Sequence, residues 1–84
     1  MDAYMYFSYI GAKAMENGMD EKAEYYFRKA RMLAYKFRAE IFGAVAELTT
    51  GTLHILCDES CLVNMDYLSC HEEDVEYITI EVIK

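Results

Sequence analysis

Proline is absent from these 84 residues. No position therefore lacks a backbone N–H, and nothing forces a break inside a helix. Cysteine is scarce and odd in number, at three. That argues against a disulfide scaffold and for the reducing cytoplasm. No apolar run is long enough to cross a bilayer, so no membrane partner is expected. The opening MDAYMYFSYIG carries an acid where an export signal would carry bases. Cations are nearly missing from one half. Residues 49–84 hold eight acids and only Lys84 as a base, while residues 1–48 hold seven of each. The net charge of −7 thus falls entirely on the second half. It makes nucleic acid an unfavourable ligand and a basic partner a favourable one. Gly-rich phosphate loops, H-E-x-x-H and Gly-x-Ser-x-Gly are also missing, so no enzyme and no cofactor is expected.

What is present is apolar and aromatic: 55% hydrophobic residues and eight tyrosines. One domain of this size can build a core, although a marginal one that self-association would help. The organising stretch is Asp20 to Leu48. Ala23, Phe27, Ala30, Ala34, Phe37, Ile41, Ala44 and Leu48 recur at alternating steps of four and three, which draws one apolar stripe along a helix roughly 43 Å long. A first helix is expected from an Asp2 N-cap to about Glu16, with Ala3, Phe7, Ile10 and Ala14 inward. Asn17-Gly18 ends it, and Asp20 is expected to cap the second helix. So short a connection makes the two antiparallel.

Residues 7–30 resemble a single tetratricopeptide repeat. Phe7, Ile10 and Gly11 stand at its aromatic, leucine and close-packing glycine positions. Gly18 stands at its turn, and Ala23, Phe27 and Ala30 match its second helix. Ala14 is smaller than the repeat usually has there, and Tyr35 sits where its closing proline is expected. The resemblance implies an interaction module that needs a cap or a further copy, because one repeat cannot bury its own face.

The first helix covers the second only to about Tyr35. Lys36 to Leu48, with Gly43 read as a mid-helix glycine, must pack on the C-terminal segment or on another chain. Thr49-Thr50-Gly51 is expected to end the helix. Leu53, Ile55 and Cys57 then alternate with Thr52, His54 and Leu56, as in a strand. Residues 61–69 admit a strand or a short helix, and the strand is favoured. Val75 to Ile83 alternates most clearly. The expected fold is α+β in one domain: an antiparallel helical hairpin with a long second helix (1–48), then an acidic, three-stranded antiparallel sheet (49–84), in the order ααβββ.

Three constellations compete for function. Tyr25, Tyr26, Met32, Tyr35 and Phe42 along the long helix form an aromatic flank suited to a protein partner. Arg28, Arg31 and Arg38 form a basic stripe beside it, which local acids such as Glu24 and Glu40 can neutralise. Glu72, Glu73, Asp74 and Glu76 form an acidic surface. His54, Cys57, Cys61 and Cys70 are zinc-type ligands without the paired C-x2-C knuckles of a strong site. The leading expectation is a non-enzymatic protein-interaction module or regulator that binds through the long helix and forms a homodimer. The alternatives are an acidic phage-type inhibitor that mimics nucleic acid in the basic groove of a nuclease or polymerase, and a small zinc- or nucleotide-binding regulator.

Overall fold

The computed structural model describes residues 2–49, 51–70 and 72–83. The chain is α+β: two packed helices precede a small three-stranded sheet. It divides into two compact units, residues 1–34 and 35–84.

The first unit holds α1 (Ala3–Glu16) and the greater part of α2 (Asp20–Ile41). Asp2 caps α1, its carboxylate accepting the Met5 N–H at 2.9 Å. Gly18 lies at φ +73°. Its N–H donates to the Met15 carbonyl, and the Met19 N–H donates to the Ala14 carbonyl. This pair of bonds is a Schellman cap. Asp20 is the first helical residue of α2 instead of its cap, and with Glu21 it complements the positive helix end. Gly11 packs so closely on Phe27 that a Cβ there would lie 2.8 Å from the ring. Ala14, Ala23 and Ala30 are buried at this small-residue crossing, whereas Ala3 is exposed.

The second unit begins with the last seven residues of α2. The helix continues through Lys36 but ends at Ile41, seven residues before the expected Leu48. Gly43 explains the stop. At φ +96° it is not a mid-helix residue but the left-handed residue of a second Schellman cap. The Gly43 N–H donates to Glu40 O and the Ala44 N–H to Ala39 O, both at 3.0 Å.

Residues 45–49 are accordingly a strand, β1 (Val45–Thr49), and β2 (Thr52–Asp58) pairs antiparallel with it. The helix end expected at Thr49-Thr50-Gly51 falls at a hairpin instead, with Thr49 in β1 and Gly51 at φ +83°; Thr50 lies outside the described residues. The helix α3 (Glu59–Leu62) and 3-10 segments Val63–Cys70 and Glu72–Tyr77 follow, and β3 (Ile78–Ile83) completes the sheet. Residues 61–69 are therefore helical, not a strand. The consequence is topological. β2 pairs antiparallel with β1 but parallel with β3, in the order β1-β2-β3, so the sheet is mixed. A parallel neighbour requires a crossover of a dozen residues or more, and the stretch between β2 and β3, with helical segments at 59–70 and 72–77, supplies it.

The strand pattern at β2 is as expected. Leu53, Ile55 and Cys57 are buried on one face, and His54 is exposed on the other. Ala39, Ala44, Cys61, Met65 and Leu68 complete the core of this unit.

Candidate interaction surfaces

The expected aromatic flank divides. Tyr25 remains 46% exposed, and Tyr26 and Phe42 are half-buried. Met32 is fully buried and Tyr35 nearly so; neither is presented to a partner. Within the first unit, Phe7 stacks on Tyr26 and Tyr25 meets Tyr26 edge-on. Lys29 lies 5.2 Å from the ring centroids of both Phe7 and Tyr25. That contact holds the cation over aromatic faces.

Tyr35 does chemical work in the core instead. Its hydroxyl donates to Asp74 Oδ2 at 2.9 Å, and its carbonyl accepts the Tyr67 hydroxyl at 3.0 Å. Asp74 is only 1% exposed, so it leaves the expected acidic surface. A buried carboxylate is tolerated where it is hydrogen-bonded, and this one is. Glu72, Glu73 and Glu76 stay exposed on the same 3-10 segment.

The basic stripe also resolves into local pairs. Arg31 bridges Glu24 at 3.1 Å, and Lys36 bridges Glu40 one turn on. Arg38 lies 4.5 Å over the Tyr67 ring and 5.9 Å from that of Phe42. Burial pushes the Tyr67 phenol up, aided by Cys61 and opposed by Arg38. Arg28 is half-buried.

The zinc candidates do not converge. His54 and Cys57 lie on opposite faces of β2, because side chains alternate along a strand. Cys57 and Cys61 are buried thiols, and Cys61 Sγ donates to the Phe42 carbonyl at 3.1 Å. Burial, then the neighbouring Cys61 and Asp58, pushes the Cys57 thiol up, away from the thiolate that binds metal. The Cys70 side chain lies outside the described residues. Among those that are described, no group of three or more His, Cys, Asp or Glu is placed to hold a metal.

One surface went unread in the sequence, and it is apolar. Phe37 is 68% exposed, Ile41 65% and Val45 66%. Phe37 and Ile41 are four apart on α2 and share a face. They were expected to face inward, but in this part of α2 Met32, Tyr35 and Ala39 are the buried residues. The alternative stripe was legible, since 32, 35 and 39 also follow steps of three and four.

The electrostatic asymmetry read in the sequence follows the two units. Residues 1–34 hold five acids and five bases, whereas residues 35–84 hold ten acids and three bases. Between Arg38 and Lys84 there is no lysine or arginine at all. No helix among the described residues is long and apolar enough to cross a membrane. Comparison with protein-family models, characterised proteins and solved structures gives no match.

Proposed function

We propose that this protein is a non-enzymatic interaction module that self-associates through the C-terminal end of its long helix. One observation carries the reading: Phe37 and Ile41, on one helical face, leave about two thirds of their surface in water, and Val45 does the same just past the helix cap. Bulky apolar side chains grouped in this way mark interfaces on small proteins. Burying two such side chains contributes about 1.5–3 kcal/mol each, and a domain of this size has little stability to spare. The tetratricopeptide-like hairpin supports the same reading, because such a unit leaves a face to be covered by another. Static light scattering over a dilution series tests it. A mass near twice 9.8 kDa at micromolar concentration is expected, and a monomer throughout would overturn it.

A second reading has its own support. The lysine- and arginine-free stretch from 39 to 83 and the exposed Glu72, Glu73 and Glu76 suit a mimic of nucleic-acid charge. Such binding to a basic groove falls steeply with salt. Salt-insensitive binding to a basic partner would exclude it.

A further inference from the structure

β3 forms one margin of the sheet. β2 takes one of its edges, and among the described residues no strand takes the other. Thr79, Ile80, Glu81 and Ile83 are exposed, so side chains from both faces of this strand reach water. A free edge presents a row of N–H and C=O groups ready to pair with another extended chain.

An apolar groove accompanies this margin. It is lined by Leu62, Met65, Asp66, Val75, Ile78 and Ile80, among others. No residue of β1 or β2 lines it, so it lies along the β3 side of the sheet. Ile78 and Ile80 are two apart and share one face of β3, while Thr79 and Glu81 share the other. A strand added here would send every second side chain toward the groove. The intervening side chains would stand on the face that carries Glu81. The surrounding charge has one sign. Glu59, Glu72, Glu73, Glu76 and Glu81 are exposed on the elements that line the groove or adjoin it, within the stretch that has no lysine or arginine.

We propose that the free edge of β3 binds an extended segment of a partner protein by strand addition, the segment alternating aliphatic residues with lysine or arginine. Aliphatic side chains enter the groove, basic ones meet Glu81 on the other face of the strand, and the backbone edge supplies the hydrogen bonds. A second copy of this chain suits the edge poorly, because it would bring two strongly acidic surfaces together. This site is separate from Phe37 and Ile41.

The test uses the intact protein and a dye-labelled peptide of alternating valine and lysine, about nine residues long to match a strand. Fluorescence anisotropy should report saturable binding. Methylating alternate peptide nitrogens should weaken it by about tenfold or more in one phase and little in the other, because only one edge of the peptide pairs. Glu81→Lys, at an exposed position, should also weaken it by about tenfold or more, while circular dichroism stays unchanged. Phe37→Glu should leave peptide binding intact even where it changes self-association. The proposal is overturned by absence of binding, or by equal binding of a scrambled peptide of the same composition, which is charge attraction alone. Equal binding of both methylated forms would likewise overturn it. So would a change of oligomeric mass on Glu81→Lys, which assigns the edge to a second copy.

Discussion

The Tyr35 hydroxyl and the Asp74 carboxylate meet at 2.9 Å inside the second unit, 39 residues apart in sequence. One partner comes from the end of α2 and the other from the 3-10 segment leading into β3, so the bond ties the helix to the crossover. Both residues had looked like surface in the sequence, one aromatic and one acidic. Tyr35→Phe removes the donor and keeps the ring. Urea unfolding should show a loss of about 1–3 kcal/mol, the usual cost of leaving a buried polar group less well satisfied. No change in midpoint would mean the bond is not formed in solution.

Phe37→Glu and Ile41→Glu should each convert a self-associating species to a monomer. The exposure of both positions means that the fold of one protomer is kept. Size-exclusion chromatography with in-line light scattering reads the mass, and thermal unfolding of dilute protein reads the fold. A dimer that survives both substitutions places the contact elsewhere.

Gly11→Ala asks for space that the hairpin does not have. The added methyl would sit 2.8 Å from the Phe27 ring, so the ring or the helix must move. Overpacking of this kind costs about 1–3 kcal/mol. Denaturant titration followed by circular dichroism should show it. Gly11→Ala with Phe27→Leu should recover part of the loss.

Asp58 carries a pH dependence whose sign is fixed. Its carboxylate accepts from Ser60 Oγ and from the Cys61 N–H, both at 2.8 Å, and these bonds hold its pKa below the ordinary value, the Ser60 bond most strongly. The folded pKa is therefore the lower one. The associated stability is present in full above the unfolded pKa and is lost as pH falls through the folded one. An NMR titration of the Asp58 carboxyl should give a depressed midpoint, and Ser60→Ala should raise it. A midpoint unmoved by Ser60→Ala would mean that the hydroxyl is not the principal cause.

The hairpin was readable because small residues at Gly11, Ala14, Ala23 and Ala30 and the turn glycine Gly18 all point to one close crossing. β2 was readable because Leu53, Ile55 and Cys57 keep period two. The end of α2 was not, because Ile41, Ala44 and Leu48 continue a helical period as well as they begin a strand. Only Gly43, as the left-handed cap, breaks the tie, and a glycine there reads equally well as a mid-helix residue. Residues 61–69 lacked a decisive period, so nothing local revealed the crossover or the parallel pairing that depends on it. Of the candidate surface, Tyr25 and the exposed glutamates were legible. Met32, Tyr35 and Asp74 were misplaced because polarity and aromaticity do not report which long-range partner will bury them.

The two neighbours of β2 differ in how they are held, and tolerance to insertion should differ with them. β1 is joined to it by residues 50–51 alone, so one inserted residue there disturbs a turn that sets the alignment of the whole hairpin. β3 arrives after the long crossover that follows β2, and at exposed positions there, such as Val63 and Asn64, each doubling of a flexible connection would cost only about 0.6 kcal/mol in closure entropy. New sequence can accumulate at those positions while the sheet keeps its alignment. The crossover is thus where this small scaffold has room to diversify.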